Sequence, residues 1–271
     1  TVRMNLSLAS REEIFDSLES QGVKIRESGF AEDVVFLSQV DYLESLDAFL
    51  DGWIQVQDLS SSLAGDAAGV KEGDYVIDVC GAPGGKSLHI AELLHGTGMV
   101  EVRDLTEKKI ALVEDNIWRS GFSNIEARVQ DATEFDPDSQ EKADLLIADL
   151  PCSGLGIIGR KPDIRYNVTE EQTTELAKLQ REILFVVWRY VKPGGTMVFS
   201  TCTVDPAENE ENVRWILSQL PFEPVDLTDR IGDALAETLL EDTRKKGYVQ
   251  LLPGFYPGDG FFISVFRRKE E

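Results

Sequence analysis

The sequence predicts an α/β fold: a mostly parallel β-sheet with helices on both faces, preceded by a smaller α/β unit. Three observations carry this. From Asp74 onward, strand-length apolar runs alternate with helical periodicity, the pattern of a parallel sheet covered on both sides. A glycine-rich turn within Tyr75–Ser87, YVIDVCGAPGGKS, joins the first of these strands to its helix. Three later strands each end on an acid, Asp104, Asp131 and Asp149, which places three carboxylates along one sheet edge.

In chain order, TVRMNL opens as a strand and a helix follows from Ser10 to about Gln21. Ser10 with Glu13 three residues on forms a capping box. VVFL at Val34–Leu37 is a second strand, and Tyr42, Leu43, Leu46, Phe49 and Leu50 form a helical stripe. These residues make the small unit, 1–68. Glycines between Gly69 and Gly73 mark the junction to the larger unit, 69–271. There the strands are Tyr75–Val79, Met99–Asp104, Ile125–Asp131, Ala143–Asp149 and Thr196–Cys202. The SLHIAELL run and Thr106–Arg119 are helices between them. No internal repeat or low-complexity tract occurs.

Composition narrows the function. The chain has 271 residues, 42% of them hydrophobic, enough to bury a sizeable core. No apolar run approaches the roughly 20 residues of a membrane span, and no charged, apolar leader opens the chain, so a cytoplasmic protein away from membranes is expected. The three cysteines, Cys80, Cys152 and Cys202, form no CxxC pair, and His89 and His95 lie in one helical stretch, which argues against a metal site. The net charge of −22 excludes nucleic-acid binding through global positive charge, though not through local contacts. Residues 1–70 hold 13 acids against 4 bases, and Asp205–Asp242 hold 11 against 2, whereas bases gather in Gly159–Arg165, Arg244–Lys246 and Arg267–Lys269.

The chemistry concentrates at one edge. Gly81, Gly84 and Gly85 let backbone close around a ligand where a strand ends and free helix N–H groups begin. That edge is where open α/β sheets bind ligands, and a carboxylate at the end of the second strand, here Asp104, holds a ribose diol in nucleotide-type sites. Cys152, in DLPCSGLG after the fourth strand, and Cys202, at the end of the fifth, reach the same edge. A thiolate there is a strong nucleophile given local positive potential or a nearby base. Spacing does not say which cysteine attacks. A phosphate-binding loop is the rival reading, because GAPGGKS ends in GKS, but that motif requires glycine where Cys80 stands. A non-catalytic RNA-binding assembly factor that kept the fold is the other.

The segments VCGAPGGK with Asp78 before it, DLPCSGLG, KPDI, LQREIL, KPGGTMVFSTCTVDPAENE and GDGFF occur in family order over nearly the whole chain. On these the chain resembles the bacterial ribosomal RNA cytosine-C5 methyltransferases of the Sun/Nop group. VRMN and QVQDLSSSLAG are similar to the family's segment before the catalytic domain, a small RNA-recognition-like fold. The resemblance implies a Rossmann-like, class I S-adenosylmethionine-dependent methyltransferase. Relatives often carry a further helical RNA-binding domain toward the N-terminus; its absence, with no opening Met, suggests a trimmed fragment or a short relative.

Residue by residue, the resemblance implies that Cys80, Gly81, Ala82, Pro83, Gly84, Gly85 and Lys86 wrap the methionine and ribose portion of S-adenosylmethionine. Asp104 holds the ribose hydroxyls, Asp131 sits by the adenine, and Asp149 lies between cofactor and base. Cys202, of the STC motif, attacks carbon 6 of cytosine, and Cys152, of the PCS motif, assists release of product. Gly81 stands where the family usually has alanine, and Arg103 precedes Asp104, which puts the local cofactor contacts in question. The implied partner is RNA, ribosomal before transfer RNA, acted on by a monomer. The basic loop from Gly154 to Tyr166 is a candidate lid over a flipped-out base.

Overall fold

The computed structural model describes residues 1–270. Its first part is a four-stranded antiparallel sheet in the order β2-β3-β1-β4. The strands are β1 (Val2–Met4), β2 (Lys24–Glu27), β3 (Val34–Ser38) and β4 (Ile54–Val56), with helices α1 (Arg11–Ser20) and α2 (Asp47–Leu50) between them. The capping box of α1 is present: the Ser10 hydroxyl accepts from the Glu13 N–H, and the Glu13 carboxylate accepts from the Ser10 N–H at 2.8 Å. Val2, Met4, Ile14, Leu18, Val35 and Ile54 form a core of their own.

Two expectations fail here. The stripe from Tyr42 to Leu50 is not one helix but a 3-10 turn, Leu43–Ser45, followed by the single-turn α2. Leu46 stands between them in extended backbone (φ −75°, ψ 133°), and Tyr42 and Leu50 point into solvent. The strand β2 has no apolar alternation to reveal it, because KIRE lies on the sheet edge with no fully buried side chain.

The larger sheet contains β5 (Tyr75–Asp78), β6 (Met99–Asp104), β7 (Ile125–Val129), β8 (Ala143–Asp149), β9 (Val191–Thr201), β10 (Phe222–Pro224), β11 (Tyr248–Leu251) and β12 (Phe261–Arg268). Its order is β10-β12-β9-β8-β5-β6-β7, with β11 also pairing β12. From β9 to β7 every pairing is parallel; β12 runs antiparallel to β9, β10 and β11. The sheet is therefore mostly parallel, as read from the sequence. The third strand is shorter than read: β7 stops at Val129, so Asp131 lies in the following turn. The fifth is longer, beginning at Val191 ahead of the Pro-Gly-Gly bulge.

Helices cover both faces. On one, α3 (Leu59–Ala68), α4 (Gly85–Leu93) and α5 (Glu107–Ser120) bury Leu59, Leu63, Leu88 and Val113 against Val76, Val100 and Val198. On the other, α7 (Glu170–Val187) and α8 (Glu210–Gln219) bury Ile183, Leu184, Val187 and Ile216 against Ile77, Leu146 and Phe199. Two further single-turn helices, α6 (Ile164–Asn167) and α9 (Asp233–Ala236), lie in connections. At roughly 25 cal/mol per Å² of apolar surface, these two faces supply the principal stabilising term.

A polar seam joins the two sheets. Arg3, 1% exposed, pairs with Glu92 of α4 and donates to Gln57 Oε1 at 2.9 Å, while Glu92 also accepts from the Leu6 N–H at 2.7 Å. Arg119 of α5 donates to the carbonyls of Phe49 and Ile54, each at 3.0 Å. The seam fixes β4 and the start of α3 beside the carboxyl ends of the parallel strands. No helix among the described residues is long and apolar enough to cross a membrane.

Candidate active site

In the strand order, β5 has β6 on one side and β8 on the other, so the chain reverses direction between β5 and β8. Such a reversal leaves a crevice beyond the carboxyl ends of the strands. Two clefts open there and share Cys80, Ala82, Asp149 and Cys202.

The first cleft, about 410 Å³, runs past Asp104, Lys109, Gln130, Asp131, Leu150, Cys152 and Ile183. Asp104 is buried and accepts from the Ala82 N–H at 3.1 Å, the Leu105 N–H at 2.7 Å and Lys109 Nζ at 2.8 Å. Asp131 is half-buried and caps its own turn, accepting from the Thr133 N–H at 2.8 Å and Oγ1 at 2.7 Å. Arg103 does not disturb this cleft. It lines neither cleft: its side chain reaches Glu101 and lies 5.2 Å from the Tyr190 ring centroid.

The second cleft, about 360 Å³, is walled by Gly81, Pro83, Gly85, Lys86 and Asp78, by Gln57, Asp58 and Ser60 from the β4–α3 connection, and by Arg160, Asp259 and Phe261. Most of the glycine-rich turn faces this side; Gly84, at φ +104°, lines neither cleft and begins α4. Arg160 pairs with Asp58 and, at 2.8 Å, with Asp259, and the Asp259 N–H donates to Asp58 Oδ1 at 3.1 Å. Arg160 lies in the predicted lid. Asp58, Asp259 and Phe261 were not singled out from the sequence, although QVQDLSSSLAG and GDGFF contain them; their convergence is a tertiary event.

The reactive groups sit where the clefts meet. Cys152 Sγ and Cys202 Sγ are 3.2 Å apart. Lys86 Nζ donates to Asp149 Oδ2 at 2.6 Å and lies 5.1 Å from the Phe261 ring centroid, and Ser200 Oγ donates to Asp149 Oδ1 at 2.8 Å. The Cys202 thiol is held below its usual pKa: the hydrogen bond from Cys152 stabilises its thiolate, and the Lys86 ammonium works in the same direction against burial and Asp149. Cys152 is pushed well up by the same hydrogen bond, which it donates when Cys202 is ionised, and by burial. Cys80 is also pushed up, by burial and by Asp78, Asp104 and Asp149. The sulfur–sulfur contact is itself symmetric; the Lys86 ammonium, which acts on Cys202, is what favours the thiolate on that side.

Asp78, 1% exposed at the end of β5, accepts from Ser87 Oγ at 2.5 Å through Oδ2, while its Oδ1 has no partner among the described residues. Burial pushes its carboxyl up to about 7. The Cys152 turn is seated on the Cys202 turn by backbone, the Gly156 N–H donating to Cys202 O at 3.0 Å and the Gly260 N–H to Gly156 O at 2.9 Å. A Cβ at Gly156 would lie 2.0 Å from Gly260 O, so only glycine permits this approach.

A cationic ligand carrying a ribose fits these residues. The first cleft has a size typical of small-molecule sites and is lined by three carboxylates against one lysine, and an orphaned buried carboxylate oxygen stands at the second. A triphosphate would meet those same carboxylates, which, with Cys80 in place of the required glycine, removes the phosphate-loop reading.

Residues 68–267 match the family model described as 16S rRNA methyltransferase RsmB/F. The probable ribosomal RNA small subunit methyltransferase B of Bacillus subtilis (strain 168) is 37% identical over 274 residues, covering 99% of this chain and 60% of that protein. The chain thus spans about 60% of the length of the curated relatives it matches. Among solved structures, PH0851 superposes with a TM-score of 0.91 at 30% identity, covering 98% of this chain and 59% of that one. NSun6 from Pyrococcus horikoshii with SFG superposes at 0.86 and 22% identity, covering 100% and 90%, and agrees in fold.

Proposed function

The chain belongs to the 16S rRNA methyltransferase RsmB/F family, and from that premise we propose that it methylates carbon 5 of a cytosine in small-subunit ribosomal RNA through a covalent cysteine adduct. The observation that carries this reading is the thiol pair at 3.2 Å, one member favoured as thiolate, at the meeting point of two clefts.

In this reading S-adenosylmethionine, when bound, supplies an electrophilic methyl group on a sulfonium. Asp104 and Asp131 would hold its nucleoside in the first cleft, and the backbone from Cys80 to Lys86 would close around its methionine portion. The three acids suit its positive charge. The target base takes the second cleft, which the smaller unit helps to wall through Gln57, Asp58 and Ser60.

Carbon 5 of cytosine is a weak nucleophile on its own, and addition of a thiolate at carbon 6 makes the ring enamine-like. Cys202 provides that thiolate. As negative charge develops on N3, Asp149, oriented by Lys86 and Ser200, relays a proton from the Lys86 ammonium and donates it to N3. Carbon 5, once it carries the methyl group that bound S-adenosylmethionine would supply, with a thioether left behind, loses its proton to a base; the Cys202–carbon 6 bond then breaks and the sulfur leaves as thiolate. Cys152, whose sulfur lies 3.2 Å from that of Cys202, can donate to the departing thiolate and so assists the departure.

The target must be unpaired or flipped to enter. The loop from Gly154 to Tyr166 borders the second cleft through Ile157 and Arg160 and presents Lys161, Arg165 and Tyr166, the last 84% exposed. These suit phosphate contact and base stacking on the strand beside the target. The test is methyl transfer from labelled S-adenosylmethionine to 16S rRNA transcribed in vitro. Cys202→Ala should abolish transfer while cofactor binding persists, and full activity in that variant would refute the mechanism. Cys152→Ala should accumulate a denaturant-resistant protein–RNA adduct; without one, its release role is wrong.

A further inference from the structure

Residues 150–154, which contain Cys152, belong to no helix or strand, so the 3.2 Å sulfur contact needs another source of rigidity. That source lies beneath the turn. Glu208, fully buried, accepts through Oε2 from the Ser153 N–H and from Gln180 Nε2, each at 3.0 Å. Gln180, on α7, also donates to the Pro151 carbonyl at 2.8 Å and accepts from Asn212 Nδ2 at 2.7 Å. Ser153 Oγ meets Thr203 Oγ1 at 2.7 Å, and Asn209 binds both neighbours of Cys202, the Thr201 hydroxyl at 2.5 Å and the Thr203 carbonyl at 3.0 Å. The residues flanking each cysteine are thus gripped by one buried network.

A carboxyl in this place is costly. Burial pushes the Glu208 pKa up, and Oε1 has no partner among the described residues. Well-packed apolar residues stabilise a core at least as well as such a group, so its position points to a role in geometry.

We propose that Glu208 is a positioning residue for the thiol pair: its Oε2 fastens the Cys152 turn to α7 and thereby holds Cys152 at the distance where its thiol donates to Cys202. The proposal rests on the reading of Cys202 as nucleophile, and its test is independent of RNA. The pH dependence of Cys202 alkylation by iodoacetamide, followed by peptide mass spectrometry, reports the thiolate directly. Glu208→Ala should move the midpoint up by roughly one to two pH units, equivalent to losing one charge-assisted hydrogen bond. Glu208→Gln keeps an acceptor oxygen for the same two donors and should keep the wild-type midpoint.

A folded Glu208→Ala protein with an unshifted midpoint would overturn the proposal. So would a Glu208→Gln midpoint shifted as far as that of Glu208→Ala, since charge rather than placement would then be the acting property. If Glu208→Ala does not fold, Gln180→Leu removes the same bond from the α7 side; an upward shift supports the role and an unchanged midpoint refutes it. Wild-type protein that shows the lowered midpoint yet transfers no methyl group would sink the methyltransferase reading while the alkylation series still decides the role of Glu208.

Discussion

Adding one carbon at Gly81 tests the packing beneath the cofactor turn. Gly81 needs no left-handed backbone, so only space forbids a side chain. A Cβ there would lie 2.5 Å from Val102 Cγ1 and 2.8 Å from Asp78 Cγ. Neither neighbour can yield cheaply: Val102 is fully buried on β6, between β5 and β7, and Asp78 is buried against Ser87. The backbone cannot slide away either, because the Gly81 N–H donates to Arg103 O at 2.9 Å. Overpacking of this kind costs about 1–3 kcal/mol. Gly81→Ala should therefore lower the urea midpoint by that amount divided by an unchanged m-value. Val102→Ala deletes the atom in closest conflict but empties two methyl groups, costing about 1–3 kcal/mol alone. The double variant should be more stable than the sum of the two losses predicts by about 1 kcal/mol. A Gly81→Ala loss below about 0.5 kcal/mol, or strict additivity, would refute the steric reasoning.

Lys86→Met removes the ammonium beside Asp149 and should raise the Cys202 alkylation midpoint by roughly one pH unit; no change would deny the lysine any part in thiol activation. Asp78 has its carboxyl raised from 3.8 to about 7, so between those values the native state keeps a proton that the unfolded chain has lost. Its stabilising contribution is full below about pH 4 and lost as pH rises through about 7, a few kcal/mol in all; urea midpoints of Asp78→Asn should therefore gain on wild type across that window, and a pH-independent difference would contradict the linkage. Glu92→Ala leaves the Arg3 guanidinium buried without its carboxylate and should cost about 3–5 kcal/mol in chemical denaturation; a loss under about 1 kcal/mol would show that the seam relaxes. Replacing Lys161 and Arg165 by alanine should flatten the salt dependence of 16S rRNA binding by about two logarithmic units of slope, and an unchanged slope would remove the loop from the RNA path.

Strands β6 and β8 run as read, Met99–Asp104 and Ala143–Asp149, because apolar runs between polar turns are local signals. The capping box at Ser10 and the glycine-rich turn after β5 were equally legible. The Tyr42–Leu50 region misled because its spacing is helical while Leu46 holds an extended backbone that breaks the helix in two. The edge strand β2 left no trace, since a strand lying on the rim needs no apolar face.

By itself the sequence determined the α/β order, the glycine-rich turn after β5, the acids along one edge and the delivery of two cysteines to it. Each follows from periodicity or chain direction within a few tens of residues. Only the tertiary structure decided which groups touch. Cys152 and Cys202, 50 residues apart, meet because β8 and β9 are paired neighbours, and Glu208 then reaches the Ser153 N–H across 55. Asp58 meets the Asp259 N–H across 201 residues because the polar seam seats the smaller sheet beside the strand ends. Local pattern sets direction and face; distance between side chains, and hence which groups meet at the strand ends, depends on packing that no single segment encodes.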